Sequence, residues 1–411
     1  MSLSGVNSEI EGETPPVSPG HTGTGGRWRA PDFPRMSVPA IGTLIYAALR
    51  VLNVVLTAIA LRNAPYAARS RTLVEFLQSG DGGHYWTIAA HGYAYPAGQL
   101  AHASSFSFFP AYPALIDSLA WLPGITITTA GLIVTAVAGL AAAWGLTRLG
   151  LRITGDPRIS VLLVAIWAVA PSSSVLSMMY AEALFCALAF WALYALVEQR
   201  WLTAAGLTIG AGLVRSTALA LIAAVGVAAL VALIRAARGR QPFGSWWRPA
   251  AAIVLAPVGL LSFLGYVAVE THRLDGWFWI EHQTFYLSFD WGVSTLRMVK
   301  DTVFGKPSTS QILVILALAA AVVLLVWSLT ERIPVYLHVY TLVVAVLAFA
   351  TSANWLGSKP RYLLPAVLLG LPLARVLAPV RIAILVLIFV VLAAVSTWFS
   401  LYLHIVAGWA P

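Results

Sequence analysis

The feature that most constrains this chain is a succession of apolar runs, each near the length of a membrane crossing. A helix needs about 20 apolar residues to span the hydrocarbon core. Runs approaching that length occupy about 38–62, 127–150, 159–178, 181–198, 202–216, 217–236, 247–270, 311–329, 333–352, 361–378 and 381–407. They predict an all-α polytopic membrane protein of about eleven spans. Charge agrees, because only 10% of the 411 residues are charged, against about 25% in soluble domains. Residues 1–36 are rich in Gly, Pro, Ser and Thr without an apolar run, so a disordered tail is expected before a membrane domain at 37–411. No basic start with an early apolar core is present, and the first run is expected to act as an uncleaved anchor. The stretch 107–122 is short and holds Pro110, Pro113 and Asp117. It reads as a re-entrant or interface-lying helix.

The net charge of +9 orients the chain and does not point to nucleic acid. Arg148, Arg152 and Arg158 flank one connection, and Arg235, Arg238, Arg240 and Arg248 another. Arg332, Arg375 and Arg381 mark two more. By the positive-inside tendency these belong in the cytoplasm. All of them share one side if 107–122 does not cross. The N-terminus is then inside, the C-terminus outside, and the two long outer segments are 63–126 and 271–310. Most unusual polar residues fall in or beside outer segments: Asp81, His84, His91, Tyr180, Glu182, Arg215, His282, Gln283, Lys359 and Arg361. This predicts an outward-facing site at the membrane boundary.

Asp81 sits among Gly80, Gly82 and Gly83, and glycine lets backbone approach a ligand. An amphipathic helical turn follows, whose N-terminus favours an anion. Asp81 therefore reads as a helix cap, a catalytic acid, or both. His84 and His91 are seven apart and share a helical face, but with Asp81 they match no strong metal motif. The single Cys186 lies inside an apolar run, where a buried small residue is expected, so no metal is expected. Glu182 opens an apolar run after Tyr180-Ala181 and reads as a cap or an acceptor-binding residue. Arg215 lies between two apolar runs, and ionisable residues at membrane depth are functional by default. Arginine also suits bidentate phosphate binding. Lys359 and Arg361 read as further phosphate donors or as head-group anchors. Arg50 and Asn53 form a buried polar pair without an assigned role. The 271–310 segment carries Trp277, Phe278, Trp279, Phe285, Tyr286 and Trp291. Such residues form interface belts or a sugar- or prenyl-packing surface. His282 and Gln283 are its polar members expected to reach a substrate.

Taken together, these segments resemble the PIG-V-like membrane mannosyltransferases. That family includes the enzyme adding the second mannose to GPI anchors, and it belongs to the GT-C class of polytopic glycosyltransferases. The matching pieces are Asp81-Gly82-Gly83-His84-Tyr85 with His91-Gly92-Tyr93, and Phe108-Phe109-Pro110-Ala111-Tyr112-Pro113. Tyr180-Ala181-Glu182-Ala183-Leu184-Phe185, Val214-Arg215-Ser216 and Pro360-Arg361-Tyr362-Leu363-Leu364-Pro365 follow in the family's order. One departure is Gly80, where the family often has Trp before the acid. The resemblance implies a GT-C-like helix bundle in the plasma membrane and a catalytic acid at Asp81. It implies inverting transfer of mannose from a polyprenyl-phosphate-mannose donor. The acceptor would be a glycolipid hydroxyl, on a phosphatidylinositol mannoside or lipoglycan for instance.

The chemistry suits the residues. The leaving phosphate needs cationic donors, available at Arg215, Lys359 and Arg361. The acceptor hydroxyl needs a base, for which Asp81 is best placed and Glu182 is in reserve. His84, His91, Tyr93, His282 and Gln283 complete the expected substrate-binding set. A phosphate held by arginines requires no cofactor. Arabinose or glucose as the sugar, or a protein acceptor, stay open. The rival class is a lipid-linked-sugar carrier or flippase. It should show paired broken helices near mid-membrane, whereas this chain has no evident repeat and one rich outer loop.

Overall fold

The computed structural model describes residues 37–63, 72–93, 104–239 and 246–408. The tail expected at 1–36 lies outside them. Among the described residues the fold is all helical, with one isolated bridge between Phe289 and Thr351. Six helical segments are long and apolar enough to cross a membrane: Val38–Asn63, Ile127–Thr154, Ser216–Arg238, Trp247–Thr271, Thr309–Ser328 and Ile382–Val406. A seventh is broken, its halves Leu356–Tyr362 and Val367–Leu377 meeting at 78°.

The sequence led us to expect about eleven spans, and the difference has identifiable causes. The run 159–178 is cut by Pro171, which cannot supply a helical N–H. Its helix ends at Ala168, and a 3-10 turn, Ser173–Ser177, follows. Pro365 similarly divides 361–378. The run 181–198 becomes Glu182–Val197, sixteen residues or about 24 Å. Its apolar residues encircle it, as in a helix enclosed by protein. It packs between Ile127–Thr154 and Trp201–Gly212 at the centre of the core. Trp201–Gly212 and Val335–Ala350 are likewise short, at 12 and 16 residues. The 107–122 stretch yields only Ala111–Ala120, too short to cross.

The central helix separates two chemical ends. Glu182 occupies its first turn, and Glu198, just beyond its last, pairs with Arg152 at 2.6 Å. Arg215 likewise precedes the segment Ser216–Arg238, whose far end carries Arg235 and Arg238. Of the expected loop arginines, Arg152, Arg235 and Arg238 therefore lie at the end opposite Glu182 and Arg215. Just before Ser216–Arg238, the helix Trp201–Gly212 makes a close backbone approach to the segment Trp247–Thr271. A Cβ on Gly212 would lie 2.5 Å from the Leu260 backbone nitrogen, so only glycine lets these two helices meet just before Arg215.

Candidate active site

Asp81 is the first residue of the helix Asp81–His91. The turn into that helix needs Gly80, whose φ of 66° is a left-handed value costly for other residues. Gly82 faces inward, where a Cβ would come within 3.2 Å of the Met179 carbonyl oxygen. That contact sets the helix against the chain leading to Glu182. The Asp81 backbone N–H donates to the Tyr180 hydroxyl at 3.2 Å. Just upstream, Ser79 Oγ and His404 Nε2 lie 2.9 Å apart, and the His404 ring meets Phe76 edge-on at 5.2 Å. The turn before Asp81 is thus tied to the π-helical end of the last span, Tyr402–Val406.

Four charged side chains from distant parts of the chain meet here. Arg361 Nη2 lies 3.0 Å from Asp81 Oδ2, and its Nε lies 3.3 Å from Glu182 Oε1. Arg215 Nη1 reaches the same Glu182 oxygen at 2.5 Å. The Arg361 guanidinium lies 5.1 Å from the Tyr180 ring centroid and 5.3 Å from that of Tyr362, within cation–π range. The result is an alternating series, Asp81–Arg361–Glu182–Arg215, with charges balanced. Local structure presents each member. Glu182 sits at a helix N-terminus, which stabilises a carboxylate. Arg215 is on extended backbone between a helix end and the 3-10 turn Ser216–Ala218. Arg361 is in the short helix Lys359–Tyr362, in the broken span.

The series forms the polar end of a cavity of about 890 Å³, lined by Asp81, Arg215 and Arg361. Glu182 is 2% exposed and lies beneath, whereas the Asp81 side chain is 20% exposed. The remaining wall is largely apolar, with Phe108, Phe109, Leu219, Leu260, Trp277, Phe285 and Val344. His84 also lines it and stacks on Phe108 with ring centroids 4.6 Å apart. Burial lowers the His84 pKa, with Asp81 opposing, so the ring is neutral at pH 7.

The other expected residues are placed differently. His282 lines the cavity from an exposed position. Gln283 is exposed and away from the lining. His91 is exposed and meets Trp86 edge-on at 6.1 Å. It shares a helical face with His84 but sits about 10 Å farther along the axis. Tyr93 donates its hydroxyl to the Phe108 carbonyl at 2.6 Å and stacks on Phe106, which braces the cavity wall from behind. Lys359 is fully buried, and its ammonium donates to the carbonyls of Ala348 at 3.0 Å and Thr351 at 2.6 Å. It caps the C-terminus of Val335–Ala350 and does not line the cavity.

The sequence reading missed Glu281, a cavity residue on the helix Gly276–Phe285. Trp277, Glu281 and Phe285 are spaced by four and all line the cavity. That helical period could have added Glu281 to the expected set beside His282, which lines the cavity with Phe278. Burial raises the Glu281 pKa to about 8, with Asp81 adding to the rise and the Ser107 hydroxyl and Arg215 opposing it. His404, also on the lining, carried no such local signal. Among the described residues no group of three or more His, Cys, Asp or Glu is arranged to hold a metal ion.

A family model described as Mannosyltransferase (PIG-V) matches residues 53–249. That stretch contains Asp81, His84, Glu182 and Arg215 and ends before Glu281 and Arg361. A comparison with curated proteins finds no match.

Proposed function

We propose that the chain, whose residues 53–249 match the mannosyltransferase (PIG-V) family model, transfers mannose from polyprenyl-phosphate-mannose to a glycolipid hydroxyl. Its long apolar helices make it a membrane protein, and both substrates in this reading are lipids. The observation that carries the proposal is the Asp81–Arg361–Glu182–Arg215 series at a cavity whose wall is largely apolar. An amphiphilic sugar phosphate fits that polarity.

In the proposed reaction Asp81 is the general base. Arg361 engages its Oδ2, which leaves Oδ1 for the acceptor hydroxyl. The hydroxyl gives its proton to Asp81 as its oxygen bonds to the anomeric carbon. The bond from that carbon to the phosphate oxygen breaks, and the leaving polyprenyl phosphate keeps the electron pair. Attack from the opposite face inverts the anomeric centre. Arg215 and Arg361 offer donors where negative charge grows, the type of stabilisation that lowers such barriers most. Two guanidinium groups supply the needed positive charge, so the proposal carries no metal. Glu182 holds both arginines in place from below. The loop arginines at the opposite end support an extracytoplasmic site in the plasma membrane.

The test is mannose transfer by purified protein in nanodiscs, using labelled polyprenyl-phosphate-mannose and a membrane glycolipid extract. Loss of the base should cost about 10²- to 10⁴-fold in Asp81→Asn, with unchanged thermal stability. Equal labelling by the mutant would remove Asp81 from this role.

A further inference from the structure

Apart from Asp275, which pairs with Arg273, three carboxylates and two guanidinium groups lie on or beneath the cavity lining, and both guanidinium groups pair with carboxylates other than Glu281. Arg361 serves Asp81 and Glu182, and Arg215 serves Glu182. Glu281 is the third carboxylate. It is half-buried on the cavity wall and forms no ion pair within 4.0 Å among the described residues. Its own helical face is Trp277 and Phe285. The Ser107 hydroxyl lies beside it. Asp81, Arg215 and Ser107 act on it directly, and the other charged and titratable groups that share its cavity are His84, Tyr85, Asp275, His282, Arg361, Tyr362 and His404. Asp275 is bound to Arg273 at 3.0 Å. A carboxyl group in an apolar wall without its own cation keeps its proton.

We infer that Glu281 is a substrate-contacting residue whose neutral carboxyl group holds a hydroxyl of the donor sugar. This deepens the mannosyltransferase reading and rests on it. A protonated carboxyl donates through its O–H and accepts through its carbonyl, which matches a sugar hydroxyl that does both. An ionised carboxylate here would repel Asp81 and the departing phosphate. The pKa near 8 agrees with this role, because the group is neutral over most of the physiological range. Activity should therefore fall as pH rises through about 8.

The experiment compares wild type with Glu281→Gln and Glu281→Ala across pH in the same transfer assay. An amide also donates and accepts, so Glu281→Gln should stay within about threefold of wild type and lose the alkaline fall. Glu281→Ala should lose about tenfold, the worth of one hydrogen bond, chiefly in KM for the donor. If Glu281→Gln is as impaired as Glu281→Ala, or keeps the alkaline fall, the inference is overturned. Infrared titration of the proteins without substrate supplies the second readout. A protonated-carboxyl band should vanish with a midpoint near 8 in wild type and be missing in Glu281→Gln. Without that band the inference fails, whatever the transfer assay gives. A wild type that shows the band but transfers no mannose would instead overturn the reading of the reaction.

Discussion

Arg50 and Arg361 are both buried, 8% and 4% exposed, yet they are held in opposite ways. Arg50 donates to the backbone carbonyls of Ala168 and Ser173, the latter at 2.5 Å. Those carbonyls are freed by the helix break at Pro171. Around them Asn53 bonds Ser174 and Thr397 at 3.0 and 2.7 Å, and Ser173 bonds Ser396 at 3.1 Å. This network ties the first span to the last, and among the described residues no carboxylate pairs with Arg50. Arg361 pairs with two carboxylates, one of which lines a cavity. Burying an ion pair gains little net stability over a packed apolar core, whereas satisfying broken-helix carbonyls is something the fold requires. A buried arginine spent on carbonyls therefore reads as architecture. One spent on carboxylates at a cavity reads as a site.

The largest effect should come from Arg361. Removing it strands two carboxylates and risks the fold, so the informative variant keeps the charge. Arg361→Lys cannot span Asp81 and Glu182 with a planar fork. We expect it to fold with near-normal thermal stability and lose about 10²- to 10³-fold in kcat, the scale of losing one transition-state donor. Full activity in this variant would break the comparison. Arg50→Met comes next and should behave in the converse way. Losing its bonds to the Ser173 carbonyl and to the Ala168 carbonyl, which keeps the Ser173 hydroxyl at 3.0 Å, should cost about 1–3 kcal/mol of stability, read as a lower melting temperature in detergent. The protein that remains folded should keep its kcat.

This contrast marks what could be read from the sequence. The six long helices were legible because length and hydropathy alone specify them. The shorter ones were not, because an apolar run such as 181–198 looks the same whether lipid or protein surrounds it. Asp81, Glu182, Arg215 and Arg361 each stood out as polar residues beside apolar runs. Their meeting did not, since no local pattern links positions so far apart. Lys359 shows the limit most clearly. It stands two residues from Arg361 on the same helical turn, and residues two apart face different directions. One cation closes a helix end while the other reaches the carboxylates. The Ser79–His404 contact joins the start of the site to the final span and is wholly tertiary.

The smallest effect separates burial from chemistry. Arg152 and Glu198 form an arginine–carboxylate pair outside the site, as short as those in it at 2.6 Å, but their side chains are 57% and 26% exposed. Water and salt screen such pairs, and their usual worth is about 0–1 kcal/mol. Glu198→Gln should thus shift stability by no more than ~0.5 kcal/mol, shrink further at high salt, and leave mannose transfer unchanged. The measurement is a melting temperature at low and high salt beside a transfer assay. If Glu198→Gln reduced transfer as much as Arg361→Lys does, arginine pairing would matter wherever it occurs. Burial beside the cavity would then no longer explain why Arg361 differs. If it is silent, the same bond has been tested in two settings. Its weight then comes from where the fold has placed it: shielded from water, shared between two carboxylates, and open on one side to a substrate.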